Sequence, residues 1–278
     1  TGALHQKVLA ALPYTPTGAQ TRTTAEITAD MAAPAKMNRL LQGDVGAGKT
    51  LVAFMALLTA VEAGGQGVMM APTEILARQH LQGLKPLGAS AGVVVDLLTG
   101  RDKGRKRQTK LAALAAGEID ILVGTHAVFQ ADVNFCDLRL AVIDEQHRFG
   151  VRQRLELGRK GQSADVLVMT ATPIPRTLQM ALTGIRDLSI IATPPVDRLS
   201  VRTYVTEFDT VAMREALLRE KYRGGQAFFV APRIADLDEL EAFMRYNVPE
   251  VSFVVAHGQM PARQLEGIMF DFLERKYD

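Results

Sequence analysis

"LLQGDVGAGKTLVAF" (residues 40–54) sets two glycines around a short gap, then Gly48-Lys49-Thr50, then an apolar run. Gly43-Asp44-Val45-Gly46-Ala47-Gly48-Lys49-Thr50 fits G-x-x-x-x-G-K-[ST] between a strand pattern and a helical one. Glycines let backbone N–H groups turn inward with no side chain in the way. The helix that follows adds its partly positive N-terminus. Lys49 then reaches the β- and γ-phosphates of a nucleotide, and the Thr50 hydroxyl ligates Mg²⁺. A glycine-rich turn that binds nothing is the bland alternative, and the strand-before, helix-after context weighs against it.

Working outward, short apolar runs recur, each followed by a turn and a helical pattern. They predict strands over 39–42, 67–71, 93–98, 119–124, 138–144 and 166–170, with helices over 50–63 and 74–83 between them. The runs are apolar on both faces, as in strands buried between helix layers. Strand and helix in alternation imply an α/β fold with a parallel sheet, whose ligands gather at the carboxyl ends of the strands. The pattern breaks at "IATPPVDRLS" (191–200), and "RDLSIIATPP" (186–195) reads as a crossing linker. This predicts a first domain over 1–192 and a second over 193–278. The second would place strands over 201–207, 227–231 and 251–256, and helices near 211–222, 237–246 and 262–276. It reads as the first half of another sheet domain.

Composition agrees with a folded, non-membrane class. The 278 residues are 47% hydrophobic and 22% charged, which supports a real core and argues against disorder. A net charge of +2 says little about partners. The single cysteine, Cys136, excludes an internal disulfide and suits a reducing cytoplasm. No apolar run reaches bilayer-spanning length, so no membrane partner is expected. The chain starts at Thr1 and stops straight after a helical pattern, which reads as a piece of something longer.

"LAVIDEQHRFG" (140–150) ends an apolar strand on Asp144-Glu145. Two carboxylates past a buried strand are costly unless something cationic sits there. Mg²⁺ on nucleotide phosphates is the natural partner, with Asp144 holding the metal and Glu145 orienting and deprotonating the attacking water. A solvated acidic turn is the alternative; a phosphate loop upstream weakens it.

In chain order, Gln20 in "LPYTPTGAQ", the phosphate loop, "APTEILARQH" (71–80), "GTHAVFQ" (124–130), "DEQHRFG" (144–150) and "TATPIPRTL" (170–178) resemble the motifs of superfamily 2 helicases. The likeness is to the RecG-type branch-migration helicases and the Mfd-type transcription-repair coupling factors. Up to about Met180 the wording is nearer RecG; "RDLSIIATPP" and "VAHGQM" are nearer Mfd. The resemblance implies a P-loop NTPase with one RecA-like domain and part of a second, using ATP and Mg²⁺. It implies that Gln20 reads the adenine edge, that His147 senses the γ-phosphate with Lys49, Asp144 and Glu145, and that Thr170 and Thr172 relay that state. Pro72, Thr73, Arg78, Thr125, His126 and Gln130 would face the backbone of branched or duplex DNA without reading its sequence. RNA polymerase is an implied partner on the Mfd side.

"RDKGRKRQTK" (101–110) carries six basic residues against one acid and is an electrostatic footprint candidate, or simply a solvated helix start. Arg148, Arg152 and Arg154 have similar standing, and His257-Gly258-Gln259-Met260 is a further candidate for backbone contact. Two rivals remain open: an ATP-dependent enzyme of another kind, and a nucleotide-binding module without motor action. The family's Q-x-x-G-R-x-G-R pattern, which supplies an arginine worth about 10³–10⁵ in rate, does not occur in the sequence. These 278 residues are therefore expected to bind Mg-ATP or ADP but to turn ATP over slowly; vigorous DNA-stimulated phosphate release in a colorimetric assay would contradict this.

Overall fold

The structure, a computed structural model, describes residues 2–144, 164–171, 187–193 and 201–278. The chain divides into two compact units, Thr1–Arg198 and Leu199–Asp278.

Among the described residues, unit one has seven strands: β1 (Asn38–Gly43), β2 (Gln66–Met70), β3 (Val95–Leu98), β4 (Ile121–Gly124), β5 (Leu138–Asp144), β6 (Asp165–Thr170) and β7 (Asp187–Ile191). All pairings are parallel, in the order β3-β4-β2-β5-β6-β1-β7. Side chains of a strand alternate between faces, and here both faces are apolar. Leu41, Met69, Val123, Val142 and Leu167 belong to one buried cluster. Leu40, Val68, Leu122, Ala141 and Val168 belong to the other. The parallel α/β expectation follows from this two-sided burial.

Helices α1 (Ala3–Ala11), α2 (Gly18–Met31), α3 (Lys49–Glu62) and α4 (Glu74–Ala91) contribute to the first cluster. Helix α5 (Gly104–Ala115) contributes Leu114 to the second, beside Val128 and Phe129 of a single 3-10 turn, His126–Phe129. Helix α3 is buried without a break from Leu51 to Leu58. A helix apolar on every side belongs in the interior, so the helix that starts at the phosphate loop is anchored through its length.

Helix α4 runs eight residues beyond the predicted 74–83, through Gly83 and Pro86, and stops at Gly92, whose φ is 79°. A proline inside a helix costs about 3 kcal/mol. Burial of Leu84, Gly88 and Ala91 offsets it. Gly88 is needed there, since a Cβ would lie 2.6 Å from Val95 Cγ2. The linker expected at 186–195 is corrected in part: 187–191 is edge strand β7, paired with β1. Its buried Ser189 donates to Glu26 Oε2 at 2.5 Å and accepts from Arg39 Nη1 at 2.7 Å, which ties α2 to the sheet edge.

Unit two contains α6 (Thr210–Tyr222), α7 (Leu237–Asn247) and α8 (Ala262–Leu273), close to the expected helices. The strands expected over 201–207, 227–231 and 251–256 are corrected: none of these segments forms a ladder. Apolar pattern makes a strand only where another segment supplies backbone partners and cover. Here Val205 is 94% exposed and Val230 81%. Among the described residues, the buried core of this unit is Phe243, Met244, Val248 and Val251.

Gln66, at the head of β2, is 4% exposed with its amide fully used. Nε2 donates to Leu114 O (2.9 Å) and Ile119 O (2.7 Å); Oε1 accepts from Cys136 N (2.7 Å) and Asp137 N (3.2 Å). One side chain thus joins α5 and the lead-ins to β4 and β5. Gln66→Leu removes all four bonds, two of them to the buried residues Leu114 and Ile119, and an unsatisfied buried group costs about 1–3 kcal/mol. Urea unfolding of unit one is expected to show a loss of about 1–3 kcal/mol.

Candidate functional site

A parallel sheet delivers all its carboxyl ends to one edge, and the segments singled out above lie along it. From β3 across to β1 the edge carries Thr99–Arg101, Thr125–His126, Ala71–Thr73, Asp144, Thr170 and the loop Gly43–Gly48.

The loop leaves β1 at Gly43 and enters α3 at Lys49. Gly46 and Gly48 have φ of 80° and 85°, the left-handed region that an L side chain resists. The N-cap of α3 is Gly48, and no side chain caps the first turn. The helix therefore presents its amino end to whatever the loop encloses. Asp44 Oδ1 accepts the Val45 N–H at 2.7 Å, and Ala47 N donates to Asp44 O at 3.1 Å, so the tip is a closed turn with Val45 exposed. The Lys49 ammonium folds back over this ring, donating to Gly43 O (2.7 Å) and Asp44 O (3.0 Å). Thr50 is half-buried on the first turn of α3.

Gln20 stands against the loop. It is the fourth residue of a capping box: Thr17 N donates to Gln20 Oε1 (3.0 Å) and Gln20 N donates to Thr17 Oγ1 (3.3 Å). Its Nε2 donates to Ala47 O at 2.9 Å. A Cβ on Gly48 would sit 2.3 Å from that same nitrogen. The amide keeps a second N–H and a second lone pair for a ligand.

Thr170 ends β6 in register with Gln42 on β1, and Asp144 ends β5 in register with Met169 on β6. Adjacent strands lie about 4.8 Å apart, so Asp144 and Gly43, with β6 between them, stand about 10 Å apart in backbone. The Asp144 carboxylate is 13% exposed and its Oδ2 lies 2.9 Å from Nε2 of His80 on α4. His80 carries no role in the sequence reading. Its signal is positional: it falls in the stripe that buries Ala77 and Leu84, where an apolar residue would be ordinary.

The residues expected at nucleic acid gather at the β2 and β4 ends. Ala71 N donates to Gly124 O at 2.8 Å and so fastens the two loops together. Thr73 caps α4, accepting from Leu76 N at 3.3 Å. Thr73 and His126 are exposed and Pro72 is half-buried, whereas Thr125 is 6% exposed. Arg78 is exposed and paired with Glu74 at 2.7 Å, which Arg101 also reaches at 3.1 Å. Gln130 is exposed and its Oε1 accepts from Arg107 Nη2 at 2.9 Å.

Half of the basic run is paired inside the chain, beginning with Arg101 at Glu74. Arg107 pairs with Asp132 at 2.9 Å and Lys110 with Asp102 at 3.3 Å. Burial pushes the Asp102 carboxyl up, but the Thr99 N–H and the Lys110 ammonium outweigh it and hold the group below its ordinary range. Lys103, Arg105 and Lys106 are exposed. Glu145, His147, Arg148, Arg152, Arg154 and Thr172 lie outside the described residues.

The loop's fit to a nucleotide rests on its left-handed glycines, its uncapped helix and its inward lysine. Among the described residues no three His, Cys, Asp or Glu side chains converge on a metal. The two residues expected to hold Mg²⁺, Thr50 and Asp144, both stand at this edge, on the first turn of α3 and at the end of β5. No described helix is long and apolar enough to cross a membrane.

Comparison with known proteins gives matches in family, sequence and fold. The DEAD/DEAH box helicase family matches residues 17–181. The chain is 43% identical over 273 residues to the transcription-repair-coupling factor of Haemophilus influenzae, covering 98% of this chain and 24% of that protein. It is 46% identical over 276 residues to the ATP-dependent DNA helicase RecG of Bacillus subtilis, covering 96% of this chain and 40% of that one. A solved structure of RecG bound to a three-way DNA junction matches with a TM-score of 0.82 at 38% identity, over 100% of this chain and 37% of the other. S. cerevisiae Dbp5 bound to RNA and ADP BeF3 matches with a TM-score of 0.65 at 18% identity, over 100% of this chain and 72% of the other, a likeness of fold. The chain thus spans about a quarter of the coupling factor's length and two fifths of the helicase's.

Gly48→Ala forces a side chain into the left-handed region, at about 1–2 kcal/mol, and displaces Gln20. Fluorescent-nucleotide titration is expected to show affinity weakened about tenfold or more. Gly64→Ala is the control: its φ is 83° with nothing within 4 Å of the added Cβ, so nucleotide affinity is expected to hold.

Proposed function

The chain belongs to the DEAD/DEAH box helicase family, and on that footing we propose that it is the ATP-binding part of a DNA translocase motor acting in repair and recombination. One observation carries the reading: the phosphate loop, Thr170 and Asp144 end three neighbouring strands, β1, β6 and β5, while the candidate backbone contacts end β2 and β4 of the same sheet. Nucleotide and DNA would be gripped by one rigid edge.

ATP is the proposed substrate and Mg²⁺ its companion ion, which screens phosphate charge when bound. The loop amides and the start of α3 would receive the phosphates, and Lys49 would exchange the Gly43 and Asp44 carbonyls for β- and γ-oxygens. Gln20 would keep its bond to Ala47 and turn its remaining amide valences to the adenine. Thr50 and Asp144 are the proposed metal ligands, with Glu145 on the attacking water and His147 beside the γ-phosphate. Thr170 and Thr172 would pass the phosphate state onward. Pro72, Thr73, Arg78, Thr125, His126 and Gln130 are the proposed DNA contacts. Arg78 and Gln130 would exchange Glu74 and Arg107 for phosphate or act beside them.

The same proposal takes residues 1–192 as the first RecA-like domain and 193–278 as part of a second. Relatives named for transcription-repair coupling and for binding a three-way DNA junction support branched or duplex DNA as the track. The same proposal takes RNA polymerase as a partner, by analogy with the relative named for coupling transcription to repair, and a cytoplasmic location.

Calorimetric titration of Mg-ATP tests the nucleotide half: saturable heat in the wild-type chain and at least tenfold weaker binding in Lys49→Ala are expected. Forked-DNA anisotropy at two salt concentrations tests the other half. A phosphate-backbone binder loses affinity steeply, with a log–log slope of about −0.9 per neutralised phosphate. Nucleotide uptake with no DNA affinity at low salt would favour the module without motor action; no uptake would reject the proposal.

A further inference from the structure

We propose that His80 is a positioning residue that holds Asp144 in place and thereby joins the DNA-facing start of α4 to the metal-binding edge of the nucleotide site. The proposal rests on the functional reading above and names a link which that reading lacks.

Asp144 closes a strand whose preceding residues, from Leu140 to Ile143, are all buried, so its backbone is fixed while its side chain emerges at the edge. The carboxylate is 13% exposed and His80 12%. An ionised carboxylate only accepts hydrogen bonds, so the 2.9 Å contact requires the N–H tautomer at His80 Nε2. A carboxylate held by one directed N–H keeps one oxygen edge aimed and the other available. That is the arrangement by which a partner behind a ligand sets its orientation.

Helix α4 supplies the other end of the link. Thr73 caps the helix, and Arg78 and Glu74 occupy its first turns. His80 lies two turns from the cap, about 10 Å along the axis. Between them Ala77 is buried in the cluster that also holds α3, and Leu84 follows one turn later in the same cluster. A helix packed this way moves as a body, since interiors are dense and do not deform continuously. A shift of Thr73 and Pro72 on meeting a DNA phosphate would reach His80, and through it the angle of Asp144. The connection needs no contact between His80 and DNA or nucleotide.

The test is equilibrium binding, which reads the link without turnover. Fluorescent-ADP affinity is measured with Mg²⁺ and with EDTA, and duplex-DNA affinity with and without Mg-ADP, for wild type, His80→Ala and His80→Gln. Glutamine can place an N–H donor near the position of Nε2. In His80→Ala, affinity in EDTA is expected to stay within about twofold. The gain from Mg²⁺ is expected to shrink about tenfold, as loss of a ligand's supporting partner does. The effect of nucleotide on DNA affinity is expected to fall with it, and His80→Gln is expected to restore both. An unchanged Mg²⁺ gain in a folded His80→Ala, or equal loss in His80→Gln, would overturn the role while wild-type binding leaves the functional reading standing. A wild-type chain that binds no nucleotide would remove both.

Discussion

Two left-handed glycines joining a buried strand to a buried helix are the constraint on which the site depends. Gly46 and Gly48 turn the chain inside six residues, between β1, whose Leu40 and Leu41 are fully buried, and α3, buried from Leu51 to Leu58. Neither flank can move to relax the turn, so the loop's concavity is set by the core beneath it. A binding loop on a rigid base loses little ordering entropy when it closes on phosphate. The direction of Lys49, the uncapped start of α3 and the docking of Gln20 on Ala47 all follow from this turn.

The parallel sheet then does the arranging. Because every strand ends at the same edge, groups distant in sequence become neighbours without dedicated contacts: Asp144 and Thr170 beside the loop, Pro72 and Thr125 beyond them. Polar braces hold the edge in register from behind. Gln66 fixes the heads of three elements, and the Arg39–Ser189–Glu26 bonds hold the outermost strand to the helix that carries Gln20. Across the edge, His80 joins the helix that begins at Thr73 to the carboxylate at Asp144.

Much of this was legible in sequence where burial is two-sided. Strands such as β2 and β5 carry apolar runs, 67–70 and 140–143, and the phosphate loop and the strand-terminal acid are read from residue type and spacing. Helix α2 is faint because its buried face is only Ala19, Thr23 and Ile27. Strand β7 hides behind Ser189, a polar residue buried only because Glu26 and Arg39 reach it from elsewhere in the chain. The length of α4 was concealed by Pro86, whose cost is met by packing that no local pattern reveals. In unit two the opposite error arose: the apolar residues of 201–207, 227–231 and 251–256 promised strands, but a ladder needs partners that local sequence does not specify. His80 was invisible for the same reason, since only the fold brings it to Asp144.

Amide hydrogen exchange at the loop tests the central claim most directly. If the turn closes on phosphate, saturating Mg-ADP slows exchange at residues 45–50, where the N–H groups of the loop and of the first turn of α3 acquire acceptors. Helix α5 (residues 104–115), which packs at the β4 end of the same sheet, remains unchanged. Equal exchange at 45–50 with and without nucleotide, at concentrations where calorimetry shows the chain saturated, would contradict the account.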